Sequence, residues 1–376
     1  MVHPFFQKIR DTVRPNLEEQ FKTRFAVILD GNENVDTWLD AIADQFLDSM
    51  ADGVETLHRL VDTGFSEKEK DFLLKNGMTQ EDIDNYPGGY HFWVLIRWIH
   101  KSLQDRGYDR DDNIFAFMKH QNVDKVRVVL MGQDPLRNSA SPGFAFHLEQ
   151  CPSTWKIISF LKNEINLVSN DESENCHVLQ DTCDLGGWIE QNVLLLNSSL
   201  TYNSDEKNLE NLGWKLITDF FMSYISSKAK LNKNHLVFLL AGNSAQNKWD
   251  LIDTHHLKMR LYHPVFYGYP DYLKNFNQDR DWATKLPFMN SNFFLYQINN
   301  NNGEENVLID WVRIKEGSAN LSNQRRNAMI RLFEEIVTFA KDQADDVWND
   351  DGKVPWKGFQ VRRSKLPNQY FYLERR

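Results

Sequence analysis

The sequence predicts an α/β fold: a three-layer α/β/α sandwich around a small, mainly parallel sheet, with helical N-terminal and C-terminal additions. Three observations lead there. Short apolar runs, rich in β-branched residues, occur at Val126–Met131, Asn192–Leu196 and His235–Leu240. Helix-like stretches separate them, among them Trp155–Leu167 and Leu212–Ser226. Each run stops at a polar or glycine-bearing segment, at Gly132-Gln133-Asp134, Asn197 and Gly242-Asn243. In parallel sheets of this kind, functional groups collect just beyond the carboxyl ends of the strands.

The flanks read differently. Residues 1–108 form a helical extension, with Leu39, Ile42, Phe46, Met50, Val54 and Leu57 lining one helix face. Asp36, Asp40, Asp44, Asp48 and Asp52 recur on another face, as a solvated surface or as an acidic docking face for a basic partner. Ser66 and Thr79 stand where helix N-caps belong. Residues 109–315 hold the strand–helix alternation, and Asn299–Gly303 within them reads as a loop. Residues 316–376 are a C-terminal helix, over about 318–345, and a tail. The tail interleaves Lys353, Lys357, Arg362, Arg363, Lys365, Arg375 and Arg376 with Trp356, Phe359, Tyr370, Phe371 and Tyr372. That composition suits a nucleic-acid surface, or equally a strap over the acidic N-terminal region.

Charge and cysteine content narrow the classes. A net charge of −10 excludes a protein that is basic all over, but not one with a local phosphate-binding surface. Cys151, Cys176 and Cys183 form no CxxC pair, and no zinc pattern links them to His255 or His256. No eighteen-residue apolar run and no secretory leader are apparent, so a cytoplasmic monomer without cofactor, metal or membrane association is expected.

The chemistry lies in an ordered set of segments. Val128 to Met131 leads into Gly132-Gln133-Asp134-Pro135, where a carboxylate straight after a buried strand is held rigidly. Gly143-Phe144-Ala145-Phe146, Cys151-Pro152-Ser153, Leu194-Leu195-Leu196-Asn197-Ser198-Ser199-Leu200-Thr201, Gly213-Trp214 and Thr218-Asp219 follow. Val237 to Lys248, with Gly242-Asn243 inside it, His263-Pro264 and Ile309-Asp310-Trp311 complete the set. In this order and spacing, over about residues 110–313, the chain resembles the uracil-DNA glycosylase family.

That resemblance implies a monofunctional DNA glycosylase, which flips a pyrimidine nucleotide out of DNA and hydrolyses its N-glycosidic bond. Asp134 would stabilise the cationic sugar and orient water, and His263 would donate a hydrogen bond to the departing base. Gln133 would support that oxygen through its backbone. Phe146 would stack on the base and Asn197 would read its edge. Ser153, Gly242, Asn243 and the backbone after His263 would grip phosphates. No lysine occupies a catalytic motif position, so lyase chemistry is not expected.

The departures set expectations of their own. Leu136 and Arg137 replace the family's Tyr-His pair, whose tyrosine shuts out groups at C5. With the short polar loop that follows, this makes a 5-substituted pyrimidine the leading substrate, for instance glucosylated hydroxymethylcytosine of phage DNA. Uracil excision in repair is the alternative, and a non-catalytic DNA-binding module on the same fold is another. Asn197 does not decide, because rotating its amide exchanges donor and acceptor. Val265, Phe266 and Tyr267 stand where the family places its wedge into the base stack, and Phe266 or Tyr267 is expected to fill that role. A longer stretch with Lys274, Arg280 and Lys285 reads as an added DNA-gripping lobe.

Overall fold

A computed structural model describes residues 123–135, 143–147, 152–168, 184–200, 214–268, 276–302, 308–313, 323–343, 352–357, 359–363 and 370–375, with Leu74, Gln80, Phe117 and Trp348. The expected N-terminal helices, the Leu136-Arg137 pair, the three cysteines and Lys274 lie outside these residues. The chain divides into two compact units. One comprises residues 1–125, 134–143 and 198–225; the other comprises 126–133, 144–197 and 226–376. In the first, Phe117 meets Phe221 edge-on at 5.5 Å. There too, Thr218 Oγ1 donates to the Ser198 carbonyl at 2.9 Å.

The second unit holds a parallel sheet of β1 (Val128–Gly132), β2 (Val193–Asn197), β3 (Val237–Ala241) and β4 (Leu257–Leu261), in the order β2-β1-β3-β4. Every residue of β1, β2 and β3 is buried, which is why they read as unbroken apolar runs. β4 is an edge strand. Leu257, Met259 and Leu261 face inward, while Lys258 and Arg260 face outward against the Trp249 ring. The chain adds β2 on one side of β1 and β3 on the other, so the strand order reverses at β1. A crevice beyond the carboxyl ends is expected at such a reversal.

Seven helices are described: α1 (Pro152–Val168), α2 (Gly186–Ile189), α3 (Trp214–Leu231), α4 (Asn243–Gln246), α5 (Trp282–Lys285), α6 (Pro287–Asn302) and α7 (Asn323–Asp342). α6 lies against β3, β4 and α1 and is buried from Pro287 through Asn299. The loop expected at Asn299–Gly303 is corrected here, since Asn299 to Asn302 continue the helix. Tertiary burial overrides the poor helix propensity of asparagine. Among the described residues no helix is long and apolar enough to cross a membrane.

The C-terminal segment forms an antiparallel sheet of β5 (Lys353–Trp356), β6 (Phe359–Arg363) and β7 (Phe371–Arg375). Two of its aromatic residues are core: Trp356 and Phe371 pack with Val354, Val361 and Leu373 against Phe293, Phe333 and Ile336 of α6 and α7, while Phe359 and Tyr372 are half-buried. Several of its cations are engaged as well. Lys353 (2.9 Å) and Arg362 (3.2 Å) converge with Lys285 (2.6 Å) on Glu374. Burial works against the charge of Glu374, but these three cations outweigh it and hold its carboxyl at about 2. Lys357 pairs with Glu335, and Arg363 covers Trp348.

The outer edge of β7 is covered by side-chain amides of α6. Asn290 donates to the Leu373 carbonyl (2.7 Å) and accepts from its N–H (2.8 Å). Gln297 makes the same two-pronged pair with Phe371, both at 2.9 Å. Each amide imitates a neighbouring strand and satisfies backbone groups that an edge would expose.

Candidate active site

The carboxyl ends of the four strands supply the site. In register, Gly132 of β1 lies opposite Asn197 of β2. A Cβ at position 132 would fall 2.8 Å from Asn197 Oδ1 and 2.9 Å from the tip of the Phe146 ring. Only glycine lets the amide and the ring come together over the strand end. Asn197 is 6% exposed, so its amide works in a dry setting.

Phe146 is held in an unusual backbone conformation. Its φ of 62° is left-handed, which costs a residue with a Cβ about 1–2 kcal/mol. Two bonds hold it there: Ala145 N–H donates to the Leu195 carbonyl (3.2 Å), and Thr154 Oγ1 donates to the Phe146 carbonyl. The ring then lies 6.0 Å from that of His263, tilted by 46°.

His263 follows β4 by two residues. Gly242, with a φ of 90°, fits beneath it; a Cβ there would stand 3.1 Å from His263 Cβ and 3.2 Å from its ring. The Leu261 carbonyl accepts from Gly242 N–H (2.9 Å) and Gln246 Nε2 (2.6 Å), fixing the ends of β3 and β4 to each other. Burial lowers the His263 pKa from 6.5 to about 4, so the imidazole is neutral at ordinary pH. Its Nδ1 accepts a long hydrogen bond (3.4 Å) from Val265 N–H, which leaves the proton on Nε2. The result is a neutral N–H donor beside the Phe146 ring, which itself meets Asn197 over Gly132.

The profile of the Uracil DNA glycosylase superfamily matches residues 118–310, just over half the chain. A protein named uracil-DNA glycosylase from Aliarcobacter butzleri is 31% identical over 221 residues, covering 56% of this chain and 97% of the relative. The chain belongs to the uracil-DNA glycosylase superfamily. A second relative of that name, from Amoebophilus asiaticus, is 34% identical over 164 residues, covering 43% of this chain and 70% of its own. The crystal structure of mimivirus uracil-DNA glycosylase aligns with a TM-score of 0.38 at 22% identity, over 56% of this chain and 72% of that one. The enzyme is thus a DNA glycosylase, a hydrolase of N-glycosyl bonds.

The glycosylase's remaining site residues fall as follows. Gln133 is exposed, Asp134 is half-buried two residues beyond β1, and Ser153 is buried at the second position of α1. Phe266 and Tyr267, from which the wedge is expected, both make internal contacts. Phe266 lies flat on Tyr262, at 4.1 Å and 2°. The Tyr267 hydroxyl donates to Asp281 Oδ1 (2.7 Å) and accepts from Trp282 N–H (3.1 Å), and its ring meets Phe160. Both rings are occupied by internal packing, and the exposed apolar side chain of this turn is Val265.

Arg280 adds a group that motif reading had left in a general lobe. Its guanidinium donates to Asn243 Oδ1 at 2.6 Å and lies 4.9 Å from the Tyr262 ring centre. The signal available in the sequence was its place just before Asp281, whose side chain caps α5 by accepting from Thr284 N–H. His255 and His256 sit elsewhere, at the amino ends of β3 and β4, where His256 bonds the backbone of Ser226 and Leu236.

Proposed function

We propose that this glycosylase removes uracil from DNA, leaving an abasic site without cutting the strand. The observation that carries the reading is the meeting of Asn197, Phe146 and a neutral His263 over the small residues Gly132 and Gly242. Phe146 stacks on the flipped base, and the Asn197 amide pairs with N3–H and O4. As the glycosidic bond breaks, negative charge grows on the base, and His263 Nε2–H donates to O2. A neutral donor stabilises that charge without the cost of a buried imidazolium in the resting enzyme. Asp134 balances the positive sugar and orients the water that adds to C1′. Ser153, Gly242, Asn243 and Arg280 hold phosphates, and Val265 enters the gap in the base stack.

The names of the relatives favour uracil. The expectation of a 5-substituted pyrimidine rests on Leu136 and Arg137, which lie outside the described residues, so it has no structural support of its own. The test is single-turnover excision from matched DNAs carrying uracil, thymine, hydroxymethylcytosine or its glucosylated form, followed by alkaline cleavage at abasic sites. Uracil should be released fastest, and Asp134→Asn should slow its release by roughly 10²–10³. Release of C5-substituted bases alone would overturn the choice of uracil. An unchanged rate in folded Asp134→Asn would overturn the role of that carboxylate.

A further inference from the structure

The turn after β4 carries an aromatic cluster that begins in the core and ends in solvent. Tyr262, 6% exposed, is stacked with Phe266 at 4.1 Å and with Phe276 at 5.8 Å and 26°. Phe276 is 43% exposed. An isolated surface phenylalanine would mean little. This one is held in place. Asn277, its neighbour, donates its backbone N–H to the Tyr262 hydroxyl at 2.6 Å, and Asn277 Oδ1 accepts from Asp279 N–H at 2.8 Å. Tyr262 N–H donates in turn to the Arg280 carbonyl at 2.8 Å. The returning chain is therefore fastened to the end of β4 on either side of the Phe276 ring's contact with Tyr262.

A cation accompanies the ring. Arg280 rests on the same Tyr262 and reaches Asn243 Oδ1 at 2.6 Å, next to Gly242 and His263. An exposed aromatic and a guanidinium gathered on one tyrosine are the chemistry that binds single-stranded nucleic acid, where each base has a free π-face and each phosphate a charge. In a duplex those faces are already covered. We propose that Phe276, backed by Tyr262 and Arg280, is a stacking subsite for an unpaired nucleobase of single-stranded DNA, on the strand that delivers the flipped nucleotide to the pocket. The subsite rests on the proposed reading that DNA runs past Asn243.

The test is fluorescence anisotropy of the full chain with a labelled oligonucleotide carrying a central tetrahydrofuran abasic analogue, single-stranded or paired. No base can be excised, so the signal is binding alone. Phe276→Ala should weaken single-strand binding by roughly 5- to 150-fold, the equivalent of about 1–3 kcal/mol of base stacking, and change duplex binding far less. Phe276→Tyr should retain wild-type affinity and Phe276→Leu should not, which separates stacking from simple apolar contact. Because the ring is exposed, unchanged melting of Phe276→Ala is expected and would be measured alongside. Equal losses on both DNAs, or no loss on either, would overturn the subsite and leave the ring as plain surface or as a contact for a protein. Normal uracil release by a Phe276→Ala variant with unchanged single-strand binding would strike the subsite alone. A wild type that stacks single strands but leaves uracil in place would strike the substrate reading alone.

Discussion

His263 and His256 begin from the same chemistry and sit at opposite ends of one parallel sheet. Burial lowers both imidazoles from 6.5 to about 4, so both are neutral at ordinary pH. At the amino end, both ring nitrogens of His256 are committed to backbone: Nε2 donates to the Ser226 carbonyl (2.8 Å) and Nδ1 accepts from Leu236 N–H (3.2 Å). His235 and His255 stack beside it at 3.7 Å, and His235 Nδ1 donates to the His255 carbonyl. At the carboxyl end, a single long bond orients His263, and its Nε2–H points to no acceptor among the described residues. A depressed pKa therefore does not identify a working histidine. What separates the two is whether the local backbone has used up the ring nitrogens.

The contrast breaks most sharply at His263. His263→Ala should slow single-turnover excision by roughly 10²–10³ while leaving DNA affinity and melting temperature nearly unchanged. A loss confined to binding would make it a loop residue. Gly132→Ala comes next. The new Cβ would collide with both Asn197 and Phe146, and a misplacement of about 1 Å can cost on the order of 10² in rate. Excision by Gly132→Ala at the wild-type rate would mean that the amide and ring need not meet.

At the other end of the sheet the readout changes from rate to stability. His256→Ala should cost about 1–3 kcal/mol in urea denaturation, because Leu236 N–H and the Ser226 carbonyl lose a buried partner. The folded fraction should excise normally. The smallest effect is the pH profile. His235, His255 and His256 all have lowered pKa values, chiefly through burial. Their contribution to stability is complete above about 6.5, where the unfolded imidazoles are neutral, and is lost as pH falls below it, for His256 down to about 4. His256→Gln should flatten the decline in denaturation midpoint between those values. An equally steep decline in that variant would assign the acid sensitivity to other groups.

Legibility in the sequence followed burial. β1, β2 and β3 were readable because strands covered on both faces are apolar throughout. β4 was not, because its five residues alternate with Lys258 and Arg260 and look like loop. The C-terminal sheet was missed for a related reason: Pro355 and its many cations resemble a tail until Glu374 is seen to collect two of them, with Lys285 of α5 as a third. In the site, Asn197, Phe146, Gly242 and His263 could be named from the family resemblance that their motifs carry. The fit of Gly132 beneath an amide and a ring could not, since it depends on register between strands far apart in the chain. Nor could the occupation of Phe266 and Tyr267, whose partners Tyr262 and Asp281 decide which side chain of the turn is left outside.

The amide pairs between α6 and β7 also order events in time. Asn290 and Gln297 bond backbone groups that lie 83 and 74 residues further along the chain. As the polypeptide emerges during synthesis, the parallel sheet and its loops can be complete while these two amides keep only their bonds to the Lys285 and Phe293 carbonyls. Until β7 arrives the helix lacks these four bonds, each worth about 0.5–1.5 kcal/mol net. The glycosylase core therefore reaches full stability only after its last strand has been translated, and a product released before β7 would carry every residue of the proposed site on a scaffold that is not yet closed.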